Sequence, residues 1–497
     1  MPVAVLGAWV VAAPATATAD AGGADATTAA AVDEILADGA LPSAVWGILA
    51  VDAETGRVVV SRGANGLLLP ASTLKLFTTA AALDALGPDF RFATGLYHLG
   101  PPGEQAAQGG TLRGDLVIRG SADPTFGSDA MDGLGNPLTR WAEALAAAGV
   151  RRIEGRIIGD DDRTDDEPYP EGWDVTHVTT ETYAPAIGGL TYADNLLGLR
   201  LEDGRVEASP DGFATVRRET ARRTESRDEG EADEPRGRLS IRRALGSDEF
   251  LVSGSTAGRA ATVQVPVANP TRYAVHAFAA RLAAAGIDVS QATLWDADDL
   301  DRRPAYGAAE PLLVSVSPTL ARIVEHTNKE SDNLYAEHLL RALTPEGSAA
   351  AGVARVRALL ARAGAERPQD LSLMDGSGLS RKDLITPNAM VALLRYMRTQ
   401  PAAPAFLASL PTGGGAGSTL RNRLDGVPVR AKTGSIAYAR CLSGYVSGPD
   451  GRLLAFSLMA NNYTAQGSRI TGAMDGIVRA LATGQRPDTA VGTSEDD

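Results

Sequence analysis

The sequence predicts an α/β (α+β) fold: one unit closed by its two ends, with helices in its middle and a β-rich region inserted into it. Three observations carry this. Near the start, "SAVWGILAVDAETGRVVVSRGAN" holds two strand-like runs around a turn at Glu54-Thr55-Gly56, the pattern of a β-hairpin. Near the end, "VPVRAKTGSIAYARCLSGYVSGPDGRLLAFSLMANN" is again strand, turn, strand, turning at Pro449-Asp450-Gly451. Between them, "PTLARIVEHTNKESDNLYAEHLLRALT", "AAAGVARVRALLARAG" and "TPNAMVALLRYMRTQ" carry apolar residues at helical spacing.

The region from 96 to 299 reads differently. It is rich in short strand patterns ("GTLRGDLVIRGS", "RRIEGRIIGDD", "NLLGLRLEDGRVEASP", "RGRLSIRRAL", "FLVSGSTAG") with one clear helix in "TRYAVHAFAARLAAAG". It is expected to form one or two small inserted domains, leaving 28–95 plus 300–482 as a discontinuous unit. "RRETARRTESRDEGEADEPRGR" mixes charge without apolar periodicity and reads as a loop.

At 497 residues the chain is long enough for several domains, and 44% hydrophobic content supplies real cores. A net charge of −14, with Arg interspersed among acids, argues against nucleic acid or an anionic membrane as partner. The single cysteine, Cys441, excludes an intrachain disulfide and a thiolate cluster. The five histidines are scattered without H-E-x-x-H, so no metal or other cofactor is expected. "VAVLGAWVVAA", followed by small residues at Ala17 and Ala19, resembles a secretory signal over residues 1–19, although it lacks a basic n-region. The run is short for a membrane span, and no integral membrane segment is expected in the mature chain. The tail, 484–497, is expected to be disordered.

"LPASTLKLFTTAAALDALG" reads as a buried helix, yet Lys75 stands near its start. Lysine is rare here: Lys75, Lys329, Lys382 and Lys432 are four of 47 basic residues. Ser72 and Lys75 are three apart and so share one helical face, with Pro70 just before the helix. A serine hydroxyl becomes a strong nucleophile when a base takes its proton. A lysine can be that base once desolvation or a neighbouring cation lowers its pKa; arginine cannot, because it stays protonated. The plainer reading is a lysine snorkelling to solvent.

Two further motifs weigh against that. Ser331-Asp332-Asn333 places a hydroxyl and a carboxamide two apart at a break between helices, where a cap would also serve. Lys432-Thr433-Gly434 opens a β-rich run, with a glycine that permits close approach of a ligand or backbone. In the order S-x-x-K, S-D-N, K-T-G, the three resemble the signature of serine β-lactamases and penicillin-binding proteins. With "GDLVIRGSADPTF", "DGSGLSRKDLITP" and "SLPTGGGAGSTLRNRLDGVPVRAKTGS", residues 28 to 480 look like the D-alanyl-D-alanine carboxypeptidase/endopeptidases of the class C, low-molecular-mass penicillin-binding proteins. The resemblance is weakest after Arg217.

That resemblance implies a transpeptidase/β-lactamase-like domain, an antiparallel sheet flanked by helices, interrupted by the β-rich insertion. It implies Ser72 as acylated nucleophile, Lys75 as its base, and Ser331 as proton shuttle to the leaving amine. Asn333 would hold the substrate amide, Lys432 and Thr433 the terminal carboxylate, and Lys432 would supply the cation that depresses Lys75. Beside Gly434, the backbone N–H groups of Ser72 and Ser435 would form the oxyanion hole. For the polar end of the peptide side chain the family pairs an Asp from the insertion with an Arg after "DGSGLS". Arg381 fits the second role, and Asp160 the first, with Asp161 an equally close neighbour. Thr164 and Ala437 depart from residues that relatives carry there.

The implied protein is secreted to the cell envelope, acts on peptidoglycan stem peptides and is acylated by β-lactam antibiotics as covalent inhibitors. Two alternatives share the motifs: a β-lactamase or esterase, distinguished by fast deacylation, and a non-catalytic peptidoglycan-binding protein, which has no need of the Lys75 base. The absence of G-x-S-x-G disfavours an α/β-hydrolase.

Overall fold

The computed structural model describes residues 23–37, 41, 44–100, 110–131, 133, 135–202, 205–219, 239–254 and 259–485. The expected signal segment at 1–19, residues 220–238 of the charged run and 486–497 of the tail lie outside the described residues.

Both ends of the chain build one antiparallel sheet. Its five strands lie in the order Val429–Ile436, Ala439–Ser447, Leu453–Asn461, Val45–Asp52, Val58–Arg62. The N-terminal hairpin turns where expected: Asp52 Oδ1 accepts the N–H groups of Glu54 (3.0 Å) and Thr55 (2.7 Å), and Gly56 supplies φ +81°. Strand Val45–Asp52 then pairs with Leu453–Asn461, Val45 opposite Asn461. Its alternate side chains enter different cores, as the two-residue period of a strand requires. Ile48 and Ala50 pack with helices Gly23–Leu36 and Gly467–Thr483. Leu49 and Val51 face the opposite layer, which includes helices Lys75–Leu86, Leu320–Lys329, Asn333–Ala342, Ala349–Arg362 and Pro387–Met397.

The region between the two halves has a mixed five-stranded sheet, ordered Thr293–Asp296, Arg156–Asp160, Asp115–Arg119, Ala93–Leu99, Leu313–Val316. Its first two pairings are parallel and its last two antiparallel. Two three-stranded sheets adjoin it, and Leu197, Leu199, Phe250, Val252 and Val265 from these share one hydrophobic core with Leu116, Ile118 and Ile157 of the larger sheet. The helix expected near 271–286 spans Pro270–Ala284. A second full helix, Pro137–Ala147, was not anticipated. It is capped by Asn136, whose side chain accepts the Thr139 N–H, and it buries Leu138, Trp141 and Leu145.

Candidate active site

Pro70 precedes a tight 3-10 turn at Ala71–Leu74, and the α-helix proper starts at Lys75. One continuous helix through Ser72 is therefore not what forms. Thr73 Oγ1 donates to the Pro70 carbonyl at 2.7 Å, and Ala71 sits at φ +46°. That left-handed conformation is sparsely populated by residues with a Cβ. Gly378 makes room behind it, since a Cβ there would meet the Ala71 carbonyl oxygen at 1.9 Å. The turn still sets Ser72 Oγ 3.0 Å from Lys75 Nζ.

Lys75 is wholly buried, 0% exposed. Its Nζ also meets Asn333 Oδ1 at 2.5 Å and the Ser377 carbonyl at 2.8 Å. Two carbonyl oxygens take the two hydrogens of a neutral amine, which leaves the lone pair for the Ser72 hydroxyl. Burial pushes the Lys75 pKa down to about 8, against the opposing pull of Asp375, Asp332 and Glu337. Of the two causes the sequence allows, desolvation and a neighbouring cation such as Lys432, desolvation is the one that acts here. Lys432 is itself fully buried, and burial together with the charge of Lys75 holds it well below the usual lysine range.

Ser331, at φ +65°, occupies the break between helices Leu320–Lys329 and Asn333–Ala342. The motif is a helix cap and a cluster of cleft residues at once. Asp332 does the capping, accepting the Tyr335 N–H at 3.1 Å, while Ser331 and Asn333 line the cleft. Lys432 Nζ donates to Ser331 Oγ at 2.8 Å and to the Thr433 carbonyl at 2.9 Å. Asn333 Nδ2 donates to the Tyr183 carbonyl at 2.8 Å, tying it to the inserted region.

Lys432, Thr433, Gly434 and Ser435 lie on Val429–Ile436, the edge strand of the central sheet. Gly434 lets that strand close on the Ser72 turn: a Cβ would meet the Pro70 carbonyl oxygen at 2.7 Å and the Ser72 nitrogen at 3.1 Å. Thr433 Oγ1 donates to Thr419 Oγ1 at 2.8 Å.

A cleft of about 310 Å³ gathers Ser72, Ser331, Asn333, Ser435 and Arg381. Its far wall comes from the inserted region as Asp174, His177 and Tyr183, with the two rings edge to face at 5.5 Å. Arg381 Nη1 lies 3.5 Å from the Ala437 carbonyl oxygen. Asp160 is not at this cleft. It is buried at the end of strand Arg156–Asp160, where its carboxylate accepts the Tyr306 hydroxyl and the Asp162 N–H. Asp161 is engaged by the Thr271 hydroxyl at 2.6 Å, and Thr164 is buried. The carboxylate that shares the cleft with Arg381 is Asp174.

Asp174 escaped the sequence reading for a physical reason. It caps the short helix Val175–Thr180, accepting the Thr176 N–H at 2.8 Å, and that bond holds its pKa below the usual carboxylate value. In sequence it is indistinguishable from any helix cap. Cys441 is inert: it is buried, its Sγ donates to the Leu69 carbonyl at 3.3 Å, and burial pushes its thiol pKa far up.

The family model described as D-Ala-D-Ala carboxypeptidase 3 (S13) matches residues 28–481. The chain is 34% identical over 492 residues to a D-alanyl-D-alanine carboxypeptidase of Actinomadura sp. (strain R39), covering 93% of this chain and 85% of that protein. The fold is similar to that of penicillin binding protein 4 (dacB) from Haemophilus influenzae, with a TM-score of 0.74 at 22% identity, over 90% of this chain and 99% of that one. A second structure of that protein, complexed with a β-lactam, gives a TM-score of 0.69 at 22% identity, over 91% and 99%.

Proposed function

The chain belongs to the D-Ala-D-Ala carboxypeptidase 3 (S13) family, and from that premise we propose that it is a secreted serine peptidase that cleaves D-Ala-D-Ala ends, and peptide crosslinks, of peptidoglycan through an acyl-enzyme at Ser72. The observation that carries the reading is the Ser72 Oγ to Lys75 Nζ contact of 3.0 Å, with the amine's other neighbours both carbonyl oxygens.

The chemistry follows from those positions. Neutral Lys75 takes the Ser72 proton as Oγ attacks the carbonyl carbon of the penultimate D-alanine. The oxyanion is held by the N–H groups of Ser72 and Ser435, which Gly434 allows to converge. The C–N bond then breaks. Ser331 passes its hydroxyl proton to the departing amine and is refilled by Lys432, whose Nζ stands 2.8 Å away. Lys432 and Thr433 bind the terminal carboxylate, and Asn333 the substrate amide. The proton held by Lys75 returns to Lys432, and water hydrolyses the ester with Lys75 again as base. A β-lactam enters the same sequence, but its cleaved amide stays attached, so the acyl-enzyme persists.

Asp174 and Arg381 offer opposite charges on one cleft, which suits a peptide side chain ending in both an amino and a carboxylate group. In this reading the expected catalytic unit, 28–95 plus 300–482, loses the strand Leu313–Val316 and the start of Ala93–Leu99 to the sheet of the insertion, and the insertion supplies one wall of the specificity cleft. The test is intact-protein mass after brief incubation with benzylpenicillin. A persistent adduct absent from Ser72→Ala, with D-alanine released from a D-Ala-D-Ala peptide, supports the proposal. A transient adduct with hydrolysed drug accumulating would assign a β-lactamase; no adduct on folded protein would assign a binder.

A further inference from the structure

The loop Asp375–Gly378, which gives Lys75 one of its acceptors, is held by buried carboxylates that take no part in the steps above. Glu337, 0% exposed on helix Asn333–Ala342, places Oε1 2.9 Å from the backbone nitrogens of both Gly376 and Ser377. Its Oε2 accepts from Arg341 Nη1 at 3.2 Å. The Gly376–Ser377 peptide unit so gripped turns its Gly376 oxygen to Thr78 Oγ1 at 2.7 Å, and the next unit, whose Gly378 N–H is held by Asp375 Oδ1 at 2.7 Å, offers its Ser377 oxygen to Lys75 Nζ at 2.8 Å. A neutral glutamine could hold the same two amides. Burying a carboxylate here therefore calls for a reason, because an ionised group is costly to desolvate.

We propose that Glu337 is a positioning residue for Lys75: by holding the Gly376 and Ser377 N–H groups it fixes the loop from which the Ser377 carbonyl reaches Nζ, and its negative charge beneath the amine, added to those of Asp375 and Asp332, makes Lys75 release its proton less readily. The inference rests on Lys75 being the base.

The charged surroundings fix the sign of the effect. Glu337 is faced by Arg341 on its own helix, by Asp375 and Asp383 on the loop, and by Lys75. Burial, with Asp375, pushes its carboxyl up to about 7 against the opposing pull of Arg341. Asp383 is held well above its usual range by burial and Asp375, which favours its protonated form. His338, next on the helix, meets Thr191 Oγ1 at 2.8 Å and is kept neutral by burial. Lys75 is faced by Asp375, Asp332 and Glu337, and by its buried neighbour Lys432. Above pH 7, then, Glu337 is ionised and favours the protonated amine. Removing its charge must let the proton leave at lower pH.

The test is the second-order rate of benzylpenicillin acylation from pH 5.5 to 9.5, with circular dichroism confirming the fold. Glu337→Gln keeps the amide acceptor and loses the charge; its acid limb should move down by about one pH unit, the scale of a single neighbouring charge. Glu337→Asp keeps the charge but withdraws it from the amides; its limb should stay while its plateau falls roughly tenfold to a hundredfold, the scale of a misplaced catalytic group. Glu337→Ala should show both changes. The proposal is overturned if the Gln limb superimposes on that of the wild type, or if the Asp plateau is unchanged. Should one variant not fold, the other decides. Normal acylation by Lys75→Ala would instead overturn the functional reading itself, so the two failures are distinguishable.

Discussion

Lys75 Nζ stands 3.0 Å from Ser72 Oγ at a site where the lysine has no exposed surface. Among the described residues Ser72 is the hydrogen-bond partner that can give the amine a proton, since Asn333 Oδ1 and the Ser377 carbonyl only accept. Lys75→Ala should therefore lower benzylpenicillin acylation by roughly 10²–10⁴-fold, the usual contribution of a general base. Lys75→Arg should not rescue it, because a guanidinium keeps its proton. Stopped incubations read by intact mass would show this, and a fast Arg variant would contradict the assignment.

The pH dependence has a definite sign. The working form of Lys75 is the neutral one, and burial lowers its pKa from the ordinary value of 10.5 to about 8. Acylation should rise with pH and level off above about 8. The same shift links to stability. Between about 8 and 10.5 the unfolded chain binds the lysine proton and the folded one does not, so this group's contribution favours folding increasingly as pH rises through that window. An acylation rate flat from pH 6 to 9 would rule out a titrating lysine base.

Asp174 tests the insertion's part in specificity. Asp174→Asn keeps the oxygen that caps Val175–Thr180 and removes the charge. For a peptide whose side chain ends in an amino group, kcat/KM should fall about 10- to 100-fold, as expected on losing a charge-assisted hydrogen bond. Benzylpenicillin, which lacks that amine, should acylate at an unchanged rate. Equal losses with both would place Asp174 in the acylation machinery instead.

These residues also show what a sequence can disclose. The hairpins at Glu54-Thr55-Gly56 and Pro449-Asp450-Gly451 were legible because turn chemistry is local. So were Ser72, Lys75, Ser331 and Lys432, because each sits in a short motif whose residue types are unusual for their surroundings. The joining of Val45–Asp52 to Leu453–Asn461 leaves only a weak trace, as strand patterns at both ends. Glu337 left none: it lies on an amphipathic helix where a glutamate ordinarily faces water, and its burial arises from the loop at Asp375–Gly378 folding over it. Asp160 misled because an acidic run looks alike whether it lines a cleft or pairs with a tyrosine.

That last case can be decided by two variants read in two assays. Asp160 accepts the Tyr306 hydroxyl and the Asp162 N–H, and Tyr306 in turn lies under Arg119, whose guanidinium carbon is 4.3 Å from its ring centre. Removing the carboxylate strands two donors in a mostly buried corner of the mixed sheet. Asp160→Ala should thus cost about 1–3 kcal/mol of stability, the penalty for unsatisfied buried groups, seen as a lower denaturation midpoint. Its kcat/KM for the amino-terminated peptide should match that of the wild type. Asp174→Asn should do the reverse, keeping the midpoint and losing the peptide. Were Asp160→Ala to lose the peptide while keeping its midpoint, the charged partner of Arg381 would be Asp160 after all, and the inserted region would have to close further over the cleft than it does here.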